Sequence, residues 1–323
     1  MNFKTSLAPM AGYTDAAFRR ICSGMGADTV VSEMISAMAM VMGDKKTADL
    51  AKIHPGEAPV ILQLFGHDPA VVAKAADLLL TGDYPGCSYA APPAGIDLNM
   101  GCPVKKITSN GEGSALMKNI PLAREIVLAA AEVCARHGVP LSVKHRLGWD
   151  ADSVCAAEFA FEMAKAGASK ITLHTRTREQ MYAPSADPET CRSVAAALAP
   201  LNIPLVGNGD IESLDDARRY LDCGCREVSV GRAALGNPWL FRELKAPEAF
   251  TPPTLNEIIA LVSDFVTELV REKGETVGIR ESRGRAAYFI RGMRGSAKIR
   301  DRLNHCETLS EFIAVLETIQ DQE

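Results

Sequence analysis

Along the first three quarters of the chain, short apolar runs rich in Val, Ile and Leu alternate with longer stretches whose apolar positions recur every three or four residues. The short runs predict strands at 5–10, 28–34, 59–66, 95–100, 140–146, 170–176, 203–209 and 226–232. Between them, DPAVVAKAADLLL, IPLAREIVLAAAEVCARHG, DSVCAAEFAFEMAKAG and SLDDARRYLDCG carry helical periodicity, several ending in the glycine that suits a helix C-cap. Strands in strict alternation with helices need helical crossovers, and hence a parallel sheet. Eight repeats within residues 1–244 predict a closed (β/α)8 TIM barrel. An open doubly wound sheet is the alternative, but no GxGxxG follows the first strand.

Beyond residue 244 the pattern changes. Residues 245–254, KAPEAFTPPT, hold three prolines and no periodicity, and read as a linker. Residues 255–323 show only helical patterns, LNEIIALVSDFVTELVREKG, RESRGRAAYFIRGM and LSEFIAVLETIQ, which predict a small all-helical C-terminal domain. One segment interrupts the barrel pattern: TGDYPGCSYAAPPAG at 81–95 precedes the fourth strand, so it should hang below the barrel as a tolerated insertion.

Composition adds a constraint on partners. The 323 residues are 47% hydrophobic and 23% charged, the balance of an ordinary globular protein. A formal charge of −5 gives no global attraction to a polyanion, so a nucleic-acid partner needs a local basic patch. Residues 278–302 supply one, with eight basic residues against Glu281 and Asp301. A merely solvated helix face carries mixed signs, so this imbalance favours phosphate binding. No apolar run approaches a membrane span, and the N-terminus lacks the apolar core of a signal peptide. The expectation is a cytoplasmic monomer. Nine scattered cysteines without CxxC spacing argue against both a disulfide framework and a metal site.

In a barrel, chemistry gathers where the strands end. The first strand exits into PMAG, whose small residues let backbone approach a ligand; the third carries Gln63, the fourth Asn99 and Cys102, the fifth Lys144 and Arg146, the sixth His174 and Arg176. Only the second exit offers no candidate. The last two exits, GNGDI and VGRAALGNPW, place glycines beside Asn208, Asp210 and Arg232, so bare amides can face an anion. Lys144 lies on a strand expected to be buried, where a cation is costly unless it meets an anion or a polar ligand. It is expected level with His174 on the next strand, while His145 points the other way, into the core. Cys134 and Cys155 read as small apolar fillers. Cys102 does not: Gly101 and Pro103 keep it out of regular structure, and Gly111 and Gly113 let the following loop close, so its thiol should swing over the barrel mouth.

In order along the chain, APMAGYTDAAFR, QLFG, IDLNMGCPVKKITSNGEGSAL, VKHRLGWD, ITLHTRTREQMY, GNGDI and VGRAALGNPW resemble the tRNA-dihydrouridine synthases, from Ala8 to Trp239 and more faintly beyond. The resemblance implies an FMN-binding barrel with a helical domain that helps hold tRNA. It implies reduction of the C5=C6 bond of a tRNA uridine, with hydride from flavin N5 to C6, a proton from Cys102 to C5, and NADPH as reductant. By position, Pro9, Met10 and Ala11 would line the flavin, Gln63 and Lys144 would bond its ring edge, and His174 would approach from strand six. Asn208, Gly209, Asp210, Gly231 and Arg232 would hold the ribityl chain and phosphate, and Asn99 would orient the uracil. A uridine must leave its stack to reach such a site. Lys105, Lys106, Arg146, Arg176, Arg178, Arg285 and Arg291 are then candidates for the tRNA backbone. The helical domain departs from the Lys-His and Trp-Tyr pairs of many members, carrying Gly284-Arg285 and Tyr288-Phe289 instead. The alternative is an FMN barrel reducing a small pyrimidine or enone without tRNA, which would have no use for the basic stripe.

Overall fold

The computed structural model describes residues 3–319 and divides the chain into two compact units, residues 1–231 and 232–323. In the first unit, eight parallel strands follow one another around a closed barrel: β1 Lys4–Leu7, β2 Thr29–Ser36, β3 Val60–Phe65, β4 Gly95–Met100, β5 Leu141–His145, β6 Lys170–His174, β7 Leu205–Asn208 and β8 Glu227–Val230, with β8 pairing back onto β1. With helices crossing over between the strands, this is the TIM barrel that the alternating pattern predicts.

The crossover helices form where the sequence caps them. Asp68 accepts the Val71 N–H at 3.0 Å, Pro69 opens the helix Pro69–Thr81, and Gly82 closes it at φ 75°. Asn119 caps Ile120–Arg136 in the same way, accepting from Leu122 at 3.2 Å. Their apolar faces, such as Val72, Ala75, Ala76 and Leu79, are buried. Two short helices between β2 and β3, Ala37–Val41 and Lys45–Ala51, have too few residues for a legible period. The 81–95 segment is knit in rather than hanging free. Tyr84 is buried and its hydroxyl donates to the Asp44 carbonyl, while Ile53 exchanges backbone hydrogen bonds with Ser88 (2.9 Å) and Ala90 (2.8 Å).

The barrel interior is polar. Ser6, Asp97, Ser142, Lys144, Thr172 and Ser229 are among the residues lining a cavity of about 20 Å³, with Lys170 paired to Glu227 at 2.6 Å in the same lining. Strand register corrects one expectation. Lys144 pairs with Thr172, and His174 with Asn208, so His174 stands two residues nearer the strand ends than Lys144.

The second unit holds the helices Leu240–Lys245, Leu255–Lys273, Glu275–Phe289, Ser296–His305 and Leu309–Glu317. Gln320, at the end of the last predicted helix, lies outside the described residues. Thr254–Glu257 and Thr308–Glu311 form reciprocal capping boxes that start two of these helices. Gly278 lets two helices close: a Cβ there would meet Val270 Cα at 2.7 Å. Phe265, Phe289, Leu303 and Phe312 form part of the buried core. Six members of the basic stripe are exposed: Arg280, Arg291, Arg294, Lys298, Arg300 and Arg302. No helix among the described residues is long and apolar enough to cross a membrane.

Candidate active site

The strand ends of the first unit bring the fourth, fifth and sixth exits together around Cys102. The thiol is half-buried, and its backbone is fixed on both sides rather than free to swing. The Cys102 N–H donates to Asn99 Oδ1 at 2.9 Å; its carbonyl accepts from the Ser114 amide at 3.1 Å and hydroxyl at 2.9 Å. Gly113 sits against it at φ 60°, where a Cβ would meet the Cys102 carbonyl oxygen at 2.8 Å. Gly113 therefore helps hold the cysteine in place, because it allows close backbone approach. Burial pushes the Cys102 thiol up; a hydrogen bond from the Val104 N–H and the charges of Arg146 and Lys144 work against that shift. The thiol is therefore protonated at neutral pH.

Lys144 makes no hydrogen bond or ion pair among the described residues. It keeps some solvent access but lies deep in the barrel, and desolvation brings its ammonium down to about 8. Arg146 adds to that shift, while Asp97 and Cys102 oppose it. Its neighbour His145 is fully buried, tilted against Phe159 at 5.1 Å, and brought down to about 4 by burial, so it is a neutral core residue. Gln63 is fully buried at the level of Asp97, and its Oε1 accepts from Asn99 Nδ2 at 2.9 Å.

The arginines expected to touch RNA divide into two groups. Arg146 is 3% exposed and spends its donors on carbonyls of Gly101 (3.0 Å), Thr177 (2.8 Å) and Met181 (2.9 Å). Arg176 is 2% exposed, ion-paired with Asp210 and bonded to the Pro184 carbonyl at 2.7 Å. In the second unit, Arg285 is 7% exposed, pairs with Glu281 at 3.1 Å and lies over Phe265. A buried guanidinium whose donors go to carbonyls or a carboxylate of its own chain holds loops or helices together, so the phosphate-contact expectation for these three is corrected. Lys105, Lys106 and Arg291 are exposed. Arg178 is half-buried over the Trp149 ring at 4.6 Å, and Lys118 lies over the same ring at 4.4 Å.

At the last two exits, the Asn208 amide donates to the Ser229 carbonyl at 2.8 Å, tying β7 to β8. Asp210, at φ 44°, also accepts from the Ala186 N–H at 3.0 Å, so its carboxylate is committed within the loop. Gly209 takes φ 133°, and around Gly231 the nearest atoms to an added Cβ are Met10 Sδ at 3.8 Å and Ala8 Cβ at 3.9 Å. Pro9 and Met10 are half-buried and Ala11 exposed on the β1 exit; Arg232, exposed, opens the second unit. The second exit is not empty after all. Glu33 accepts the Gly12 N–H at 2.5 Å, and Met34 Sδ lies 3.7 Å from Asn99 Nδ2. A carboxylate at the end of an apolar strand was the signal for it.

A protonated thiol at the strand ends of a closed eight-stranded barrel, with an uncommitted cation deeper inside, places the protein in the class of TIM-barrel enzymes. More narrowly, the chain belongs to the dihydrouridine synthase family, Dihydrouridine synthase (Dus), which matches residues 6–323. It is 34% identical over 321 residues to the tRNA-dihydrouridine synthase B of Pseudomonas aeruginosa, covering 95% of this chain and 92% of that one. A probable tRNA-dihydrouridine synthase of Rickettsia conorii is 34% identical over 321 residues (98% and 92% covered). One of Aquifex aeolicus is 32% identical over 330 residues (100% and 99%).

Proposed function

We propose that this protein reduces the C5=C6 bond of uridines in tRNA to 5,6-dihydrouridine, using bound FMN with NADPH as reductant. The names of its relatives support tRNA as substrate. The observation that carries the chemistry is Cys102, a protonated thiol held by its backbone beside the unpaired Lys144.

The residues fit a flavin mononucleotide. An interior cation without a partner among the described residues suits an electron-rich ring edge, and the room around Gly231 suits a phosphate. Pro9, Met10, Ala11, Gln63, Lys144 and His174 would hold the ring, and Asn208, Gly209, Gly231 and Arg232 the ribityl phosphate, with Asp210 shaping the loop. A flavin held there would supply hydride chemistry at C6 of the uracil, with NADPH as the source of its electrons. Cys102 keeps the proton for C5 and delivers it to the carbon that has gained electron density. Asn99 orients the uracil, and its hold on the Cys102 N–H keeps donor and substrate in one frame. Lys105, Lys106 and Arg178 on the barrel, and Arg291 with the other exposed cations of the helical unit, take the phosphates. We assign catalysis to residues 1–244 and RNA holding to 255–323, joined by 245–254.

The test is turnover on unmodified tRNA with NADPH, with dihydrouridine read by mass spectrometry. Wild type should be yellow and active. Cys102→Ala should keep its flavin and lose 100-fold or more in turnover, within the range of general-acid contributions, about 10²–10⁴. Unchanged turnover in that variant removes the proton-donor role. A flavin-loaded protein that reduces free pyrimidines or enones but leaves tRNA untouched removes the RNA substrate.

A further inference from the structure

Asp97 is an interior carboxylate to which the reaction above gives no task, and unlike Glu227 it has no lysine paired to it among the described residues. It stands in the middle of β4, 3% exposed, in a parallel strand buried on both faces. Its two oxygens accept from Ser142 Oγ at 2.5 Å and Gln63 Nε2 at 2.7 Å. Burial pushes the Asp97 carboxyl up, against the hydrogen bonds from Ser142 and Gln63 and the charge of Lys144; as arranged, both of its oxygens accept, and Gln63 turns its NH₂ toward it. That turn leaves Gln63 Oε1 facing Asn99, which donates from Nδ2 at 2.9 Å. Asn99 Oδ1 is then left facing the exit loop, where it accepts the N–H of Gly101 at 3.1 Å and of Cys102 at 2.9 Å. Every amide in the series takes its direction from the one before it. Reversing any one would set donor against donor or acceptor against acceptor, a mismatch that costs most at the buried Asp97–Gln63 end.

We propose that Asp97 is a positioning residue: it sets the polarity of the Gln63–Asn99 amide chain and through it anchors the Cys102 backbone at the barrel mouth. The catalytic meaning of that anchor rests on the proposed role of Cys102 as proton donor. The hydrogen-bond chain itself does not need flavin or RNA, so it is tested separately.

The full-length protein is treated with iodoacetamide, and the alkylation rate at Cys102 is followed by peptide mass spectrometry, with a thermal melt reporting folding. Asp97→Leu removes the acceptor, so the loop loses its anchor and Cys102 should alkylate roughly tenfold faster. Asp97→Asn should stay within twofold of wild type, because its Oδ1 still accepts from Gln63 while its Nδ2 donates to Ser142. In turnover, Asp97→Leu should lower kcat while leaving KM for tRNA unchanged. A folded Asp97→Leu with the wild-type alkylation rate overturns the proposal. So does equal behaviour of the Asn and Leu variants, which would mean that Asp97 acts by its charge near Lys144. If Asp97→Leu does not fold, Gln63→Met breaks the chain at its middle link, and the same tenfold rise or its absence decides. A protein that shows the alkylation pattern but reduces no uridine overturns the proposed function and leaves the positioning role standing.

Discussion

Lys144 carries a cation into the barrel without a partner, and the cost of that placement has a measurable pH signature. Burial lowers its folded-state pKa to about 8 from the ordinary 10.5. Between those values the unfolded chain binds the extra proton, so stability rises with pH across the window, by on the order of 3 kcal/mol. Below about pH 8 the cost is fully present. Lys144→Met should therefore be the more stable protein at pH 7, by somewhat less than that amount because Asp97 loses its neighbouring charge. The difference should close by about pH 10.5, as measured by urea unfolding at both pH values. Affinity for FMN should fall in wild type as pH rises through about 8, and stay level in the variant. The argument that singles out Lys144 in the sequence, a charge in a buried strand, applies equally to Asp97 in GIDLNM. What hides Asp97 is that its partners, Gln63 and Ser142, lie 34 and 45 residues away in the chain.

Between β4 and the helix that begins at Ile120, the loop is a built element. Arg146 pins the Gly101 carbonyl, Asn99 the Cys102 amide and Ser114 the Cys102 carbonyl. Gly111 and Gly113 both take positive φ, 77° and 60°, but only Gly113 lies against its neighbours; nothing lies within 4 Å of a Cβ added at Gly111. Gly111→Ala should cost about 1 kcal/mol for its left-handed backbone, and Gly113→Ala about 3 kcal/mol, since overpacking against Cys102 adds to the same strain. Thermal unfolding of the two variants side by side checks this. Equal costs would mean that the loop yields at Gly113. The strands themselves were legible because a barrel strand is a short apolar run with turn signals at both ends. The short helices after β2 and the fixing of the Cys102 loop were not, since both depend on contacts beyond a local window.

On the whole-molecule scale, the basic stripe separates into six cations that face solvent and two, Arg283 and Arg285, that are turned to partners within the helical unit. Replacing Arg291 and Arg294 together by alanine should weaken tRNA binding and flatten its salt dependence by about one unit of slope per arginine, with flavin content unchanged. Affinity measured from 50 to 200 mM salt tests this, and an unaltered slope would take the stripe out of the interface. Arg285→Ala should behave differently. It loses a pair with Glu281 and its place over Phe265, so it should lower the melting temperature and leave the slope alone.

Periodicity by itself determined the barrel, the helical region after it and the order of the strand exits, because strand and helix spacing are local properties of the chain. Motif order carried the family, and the isolated thiol in NMGCP was visible because glycine and proline exclude regular structure around it. Which charges are spent was decided only by the tertiary structure. Arg146, Arg176 and Arg285 look like surface cations in a line of sequence; folding buries the first two against acceptors from elsewhere in the chain, and the third beside Glu281 of its own helix and over the Phe265 ring. The same closure of the barrel sets Asp97, Gln63 and Asn99 on neighbouring strands and aims their amides at Cys102.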